Sequence, residues 1–387
     1  MSHLSWITSE IVLDDAISSA AVEHVVENPT VQVSLVHEYV HFLQLMTSVG
    51  GIRLLADLVD LGIRGALLLS GTIRLGDVVQ GYRRILPLLE GLEPFAWRAH
   101  PGVEERRNET MDELHVLLDP IAHPYVGQAR PWSVVRQVID YRTFDEPLWG
   151  FVVSGDAGPE FRPFSVGFLA EAMARRLDRW FVARVAPEHA WQPGRVETEF
   201  YNGLLHLVSR PEYEEPLAGA SREEIVVVIA ALALATPSPD LATKLMLDRL
   251  RDPIDGGPLV ANVARTLREL LVRRRLHHAD HYNEAISDVM WGAASIMDRT
   301  EYLEIHQRLV QVHHAANRIL DNPTMFVRPT LEWADVKGWM AWFPPPPIVM
   351  GDGSRAATVD GQRCEPFCAT FLSLVERKLL ASPAVGG

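Results

Sequence analysis

Two histidines and a glutamate stand together in a short segment whose spacing suits metal chemistry. His37 and His41 are four residues apart, and Glu38 directly follows the first of them. Residues four apart share one face of a helix, so both imidazoles can reach one zinc ion. Glu38 would then stand beside that ion, where its carboxylate can act on a metal-bound water. The pattern predicts a zinc site that activates water.

The residues around this motif predict a single helix over residues 30–46. The segment Asn28-Pro29-Thr30 supplies a start signal, and Gly50-Gly51 supplies a stop. The two histidines border an apolar stripe, and a low dielectric strengthens a bound Lewis acid. A metal-free helix with two half-buried histidines and a solvated glutamate is the alternative. The stripe consists of apolar residues at three- and four-residue spacing: Val33, Val36, Val40, Leu43 and Met46.

A catalytic zinc site needs a third protein ligand, for which Glu171 is the preferred candidate. Glu171 lies in a predicted helix over residues 165–182, among small and apolar neighbours. A carboxylate in such surroundings needs a partner, and a metal ion is a suitable one. The alternative is a glutamate on the solvated face of that helix. Glu197 and Glu199 are the next candidates for the third ligand.

A helix with His-Glu-x-x-His, followed by a later helix with Glu-x-x-Ala, resembles the gluzincin branch of the zinc metallopeptidases. The resemblance covers residues 30–50 and 165–180. It implies that His37, His41 and Glu171 bind Zn²⁺, that Glu38 is the general base, and that the substrate is a peptide or peptide-like molecule. The chain departs from the family in one respect. Glu171 lies much further along the chain from His41 than the corresponding glutamate does in the best-known gluzincins.

The resemblance also implies a hydrogen-bond donor to the oxyanion and a strand that binds extended substrate. Tyr201 and His206 are candidates for the donor, with a half-buried amphipathic side chain as the favoured alternative for each. Strands are predicted over residues 133–141 and 148–153 as a hairpin whose edge could pair with substrate. A loop is predicted over residues 155–163.

Composition narrows the class of protein and of partner. The chain has 387 residues, 48% hydrophobic and 22% charged, which is typical of a soluble globular protein. The net charge of −14 argues against nucleic-acid and membrane-surface partners. The longest apolar run, residues 225–235, is too short to span a bilayer and predicts a buried helix. Oligomeric state is left open.

The two ends of the chain give expectations about its compartment. The first twenty residues contain no Lys or Arg, so no secretory signal is expected. Cys364 and Cys368 are interpreted as two ordinary thiols rather than a second metal site or part of a disulfide framework. We therefore expect a cytoplasmic protein.

The predicted fold class is α+β and predominantly helical, with a zincin-like core, a small β-hairpin or sheet, and a C-terminal helical region. Residues 1–215 are expected to form the metal-binding domain and residues 216–342 a helical domain. Residues 343–387 are expected to form a proline-rich strap and tail. Further helices are predicted over residues 52–69, 73–87, 103–118, 222–234, 241–250, 259–278, 282–297 and 302–319.

Other functions remain open from the sequence. A di-iron carboxylate oxidase in a helical bundle could use Glu38-x-x-His41 with Asp112-x-x-His115, although the second pair is imperfect and His37 would be idle. A second histidine pair, His277 and His281, follows three arginines and is interpreted as a solvated helix end. A non-catalytic zincin-like binding protein and an intracellular processing or biosynthetic enzyme are further alternatives.

Overall fold

A computed structural model describes residues 3–5, 10–13, 17–24, 28–49, 52, 132–138, 147–155, 158–164, 166–185, 195–276, 283–284, 286–287, 290–291 and 299–364. The described residues are mostly helical with small β-sheets, which confirms the predicted predominance of helix. The helices predicted over residues 73–87 and 103–118, and most of those over 52–69 and 282–297, lie outside this part of the chain.

The structure describes nine helices. Where periodicity predicts a helix, the observed bounds lie close to the predicted bounds. The helices are α1 (Ser19–Glu23), α2 (Pro29–Thr47), α3 (Val166–Val185), α4 (Arg195–Val208), α5 (Arg222–Leu234), α6 (Pro239–Arg249), α7 (Val260–Arg273), α8 (Arg299–Asp321) and α9 (Trp333–Trp342).

Nine strands are described, in three sheets. Strands β1 and β2 lie near the N-terminus, β3 to β5 in the middle, and β6 to β9 after the helices. Their bounds are β1 (His3–Ser5), β2 (Glu10–Val12), β3 (Trp132–Val138), β4 (Pro147–Gly155), β5 (Gly158–Pro163), β6 (Ile348–Val349), β7 (Arg355–Ala356), β8 (Thr358–Val359) and β9 (Gln362–Arg363).

Backbone contacts divide the described elements into two units. The first contains β1, β2, α1, α2, α8, α9 and β6 to β9. The second contains β3 to β5 and α4 to α7. Helix α3 is one continuous helix that contributes to both, because the division falls inside it, between Met173 and Ala174.

Helix α2 carries the His-Glu-x-x-His motif, and its ends are set by local sequence. The Asn28 side chain accepts a hydrogen bond from the backbone N–H of Val31 at 3.3 Å, and Pro29 opens the first turn. The helix ends where the Ser48 N–H donates to the Gln44 carbonyl at 3.0 Å. The predicted helix is confirmed, but its burial is more complete than a single stripe, since every residue from Gln44 to Thr47 is buried.

The first half of helix α3 is held by an aromatic cluster in the second unit. Phe168 of α3 packs against Phe151 of β4 and against Phe164, with ring centroids 5.1 and 6.1 Å apart. All three rings are buried. Gly203 of α4 lies against this cluster, so that α4 approaches the rings closely. This packing fixes the turn of α3 that precedes Glu171.

Replacing Gly203 with alanine should destabilise this unit. A Cβ at position 203 would lie 3.0 Å from the Cζ of Phe151 and 3.0 Å from the Cε2 of Phe168. Overpacking of this kind costs about 1–3 kcal/mol and outweighs the roughly 0.5–1 kcal/mol that alanine gains over glycine in a helix. Urea denaturation should show a lower free energy of unfolding. Gly338→Ala, in α9 with open space at its Cβ, is the matched control and should not be destabilised.

The middle sheet contains the predicted hairpin and one further strand. Strands β3 and β4 pair antiparallel, with Val134 opposite Phe151, which confirms the hairpin. The predicted loop over residues 155–163 is wrong, because Gly158–Pro163 forms β5 and pairs antiparallel with β4. Pro159 and Pro163 are unusual in a strand, but β5 is an edge strand of this sheet, where the missing N–H of proline is tolerated.

A second sheet joins the two ends of the chain. Its order is β1-β2-β6-β7, and β2 runs parallel to β6 with Ile11 opposite Ile348. The Ile11 N–H donates to the carbonyl of Pro347 at 3.0 Å. The polyproline segment, residues 344–347, therefore continues the pairing of β6 with β2. These strands were not predicted, because strands of two or three residues leave no readable alternation.

The apolar run at residues 225–235 forms helix α5, as predicted. Every residue of the helix from Ile225 to Leu234 is buried. Ser221 caps the helix, its side chain accepting a hydrogen bond from the Glu224 N–H at 3.4 Å. Within the described residues, no helix has both the length and the apolar character needed to cross a bilayer.

Candidate metal centre

The two histidines of α2 direct their Nε2 atoms toward each other. These atoms are 3.2 Å apart, and the ring planes are nearly perpendicular, with an interplanar angle of 88°. His41 is buried, at 4% exposure, whereas His37 is half-buried. One turn of α2 thus places two possible metal-binding nitrogen atoms close together, and the half-buried ring of His37 remains partly accessible to solvent.

The Nε2–Nε2 distance suits a shared tetrahedral ion. Two nitrogen ligands at about 2.0–2.1 Å from a four-coordinate zinc lie roughly 3.3 Å apart. The observed separation of 3.2 Å agrees with that value. The same distance also suits a direct hydrogen bond between the two rings, so the third donor matters.

Glu171 of helix α3 supplies that third donor. One ligand atom each from His37, His41 and Glu171 can be chosen so that all three lie within 4.8 Å of one another. The Oε2 atom of Glu171 is buried, although the residue as a whole is half-buried. In the part of the chain that the structure describes, these residues are the one group of three His, Cys, Asp or Glu side chains close enough to hold a metal ion.

The donor set fits a catalytic zinc site. Two neutral imidazoles and one carboxylate form the His₂Glu set, which leaves the fourth tetrahedral position open for water or substrate. With a divalent cation, one carboxylate ligand leaves a net positive charge that can polarise a carbonyl oxygen. The observation that carries this fit is that three ligand atoms of suitable chemistry lie within 4.8 Å of one another.

Glu38 directly follows His37 in the sequence and is not one of the three grouped donors. Its side chain is buried, at 6% exposure, although it is a carboxylate. Carboxylates are rarely buried unless a positive charge or hydrogen-bond donors stabilise them. A cation held by His37 and His41 would supply such a charge beside Glu38. A buried carboxylate that adjoins a candidate metal ligand in the sequence is therefore a candidate proton acceptor.

Gln44 is a contact of the site that the sequence analysis missed. Its Oε1 atom lies 3.0 Å from the Nδ1 atom of His41, on the ring nitrogen that faces away from His37. Both side chains are buried. The spacing from His41 to Gln44 is three residues on one helix, which places them on the same side and could have signalled the contact.

Tyr39 connects helix α2 to Phe343, the residue that precedes the polyproline segment. Its hydroxyl donates to the backbone carbonyl of Phe343, and its ring is fully buried. Burial raises the pKa of the Tyr39 phenol well above its usual range, so the group stays protonated and remains a donor. The ring of Phe42 packs against that of Phe343 at a centroid distance of 5.4 Å. Both contacts hold α2 in position.

Replacing Tyr39 with phenylalanine should reduce stability without removing the metal site. The change leaves the buried carbonyl of Phe343 without this donor, which costs about 1–3 kcal/mol. Chemical denaturation should report that loss in the free energy of unfolding, while zinc affinity of the folded protein stays close to wild type. An unchanged free energy of unfolding would show that this hydrogen bond contributes nothing.

Of the two candidate oxyanion donors, only His206 has a described side chain. His206 lies on α4 with an exposed side chain. Tyr201, Glu197 and Glu199 also lie on α4, but their side chains are outside the described residues, so their roles stay predictions.

Of the remaining candidates, Cys364 is the one within the described residues. Cys364 is buried, which raises the pKa of its thiol to about 12 and makes it a poor nucleophile or metal ligand. Cys368 lies outside the described residues, as do Asp112, His115, His277 and His281. The di-iron and second-site alternatives therefore stay predictions.

Comparisons of the chain with protein-family models, with curated proteins and with solved structures found no match.

Proposed function

We propose that this protein is a zinc-dependent hydrolase that cleaves a peptide or amide bond, with Glu38 as the general base. The observation that carries the proposal is that ligand atoms of His37, His41 and Glu171 lie within 4.8 Å of one another, while Glu38, the residue after His37, is buried. The proposal includes a zincin-like core similar to that of the gluzincins, because the His-Glu-x-x-His motif of α2 resembles theirs.

The residues of the site divide the chemistry between them. His37, His41 and Glu171 would hold zinc, which supplies Lewis acidity that polarises a carbonyl and acidifies a water molecule. Glu38 would accept the proton of the attacking water on a carboxylate oxygen as the C–O bond forms. It would then return that proton to the leaving amine as the C–N bond breaks.

Burial of the site supports this division of roles. His41 and Glu38 are 4% and 6% exposed, so bulk water contributes little screening around the charges that develop. The half-buried His37 marks the side from which substrate could approach. A peptide bound in extended form, by pairing with a sheet edge, stays part of the proposal.

The composition of the chain supports a proposal about its compartment and biological role. An acidic chain with two cysteines fits a processing or biosynthetic role inside the cell better than secreted digestion. The substrate would then be a dedicated peptide precursor or another amide.

Cleavage in isotopically labelled water tests this function. The zinc-loaded protein is incubated with a peptide library covering all residue pairs, in H₂¹⁸O, and the products are read by mass spectrometry. We expect cleavage that a chelator abolishes and zinc restores, with one ¹⁸O in each new carboxylate. Cleavage indifferent to the chelator, or no cleavage across the library, would count against the proposed reaction.

A further inference from the structure

We propose that Gln44 is a positioning residue that holds His41 in the tautomer needed to bind metal through Nε2. The inference rests on the proposed function, because it concerns the same metal site. It starts from the 3.0 Å contact between the Oε1 atom of Gln44 and the Nδ1 atom of His41.

The chemistry of the two groups fixes the direction of this hydrogen bond. An amide oxygen only accepts, so the proton must lie on Nδ1 of His41, which donates. A neutral imidazole has one N–H, so Nε2 of His41 then carries a lone pair. Both side chains are buried, so water does not compete for either group. Gln44 thereby favours the tautomer whose free lone pair points toward the metal group.

The two histidines therefore differ in whether they must change tautomer before Nε2 can bind a metal ion. The Nε2 atom of His37 lies 3.2 Å from the Nε2 atom of His41 and can donate a hydrogen bond to its lone pair when no ion is bound. To bind metal, His37 must move its proton to Nδ1, and its half-buried ring leaves that exchange open to solvent. His41 needs no such change, because Gln44 already holds it in the metal-binding form.

Because Gln44 is uncharged, it affects the Lewis acidity of a bound metal ion less than a carboxylate would. Metal-bound histidines often donate to a carboxylate, which increases the basicity of the ligand. An amide acceptor orients the ring without adding a negative charge. With Glu171 as a ligand and Glu38 nearby, a third carboxylate would further weaken the Lewis acidity of the ion. Gln44 is thus suited to orient His41 while the metal stays electrophilic.

The test measures zinc affinity in the full chain by competition with a chromophoric chelator. Gln44→Met keeps the length of the side chain but has no acceptor, and should bind zinc about 10–100-fold more weakly. Gln44→Glu restores an acceptor and should bind zinc no more weakly than wild type. Thr47→Val is the matched control, because it removes a buried hydroxyl that bonds within α2 to the Leu43 carbonyl, at 2.5 Å. Its zinc affinity should stay at the wild-type value.

The tautomer can be read directly in the metal-free protein. Long-range ¹H–¹⁵N correlation spectra should show His41 of wild type in the Nδ1–H form, and Gln44→Met should shift it toward the Nε2–H form. An unchanged tautomer together with unchanged zinc affinity in Gln44→Met would overturn the inference. If wild type binds no zinc, the proposed function fails, but the tautomer measurement still decides the role of Gln44.

Discussion

Replacing Glu38 with glutamine should abolish hydrolysis while zinc stays bound. Glu38 is only 6% exposed. Because the amide has almost the same shape as the carboxylate, the side chains around it need not rearrange. It cannot accept a proton from water, and loss of a general base typically lowers the rate by about 10²–10⁴-fold. The measurement is the turnover number on a peptide cleaved by wild type, at saturating zinc, with metal content determined on the same preparation.

The matched control makes the same chemical change on the surface. Glu269 lies on α7, half-exposed, in an ion pair with Arg273 one turn away. Such surface pairs contribute little, so Glu269→Gln should keep wild-type turnover. If Glu38→Gln retained turnover comparable to this control, Glu38 would not be the base. If it lost zinc as well, Glu38 would instead be needed to hold the ion.

Replacing Glu171 with alanine should weaken zinc binding by at least about 100-fold. Loss of an outer-shell partner of a ligand already costs about 10–100-fold in affinity, and a direct ligand should cost at least as much. The change leaves two histidine donors of the three that converge within 4.8 Å. Competition with a chelator measures the dissociation constant, and Glu269→Ala serves as the surface control.

The same substitution should reduce the stabilisation that zinc provides. At a free zinc concentration 100 times the wild-type dissociation constant, binding stabilises the folded protein by about 2.7 kcal/mol. A 100-fold weaker variant at that concentration gains only about 0.4 kcal/mol. Thermal unfolding with and without zinc should show this difference. A variant stabilised by zinc as strongly as wild type would mean that Glu171 is not a ligand.

Local pattern in the sequence was sufficient to predict the two helices that carry the site. Helix α2 has capping and stop signals at both ends, and α3 has a regular apolar periodicity, so their bounds follow from neighbouring residues. Glu171 was selected for its small and apolar surroundings on α3. That criterion uses only local sequence, yet the structure brings this residue to His37 and His41.

Features that depend on distant pairing were not predictable in this way. Strand β2 pairs in parallel with β6 from the other end of the chain, and neither is long enough to show alternation. Strand β5 has prolines that are unusual in a strand, and only its position at the sheet edge makes them tolerable. The contact from Gln44 to His41 is local, but its meaning depends on knowing which ring nitrogen faces the metal group.

Metal identity and stoichiometry, measured by mass spectrometry on purified wild type and Glu171→Ala, test the central claim most directly. We predict one zinc per chain in wild type and its loss from Glu171→Ala after dialysis against a mild chelator. Two irons per chain would favour the di-iron alternative. Zinc retained equally by both proteins, or no metal bound by wild type after zinc loading, would contradict the site proposed from His37, His41 and Glu171.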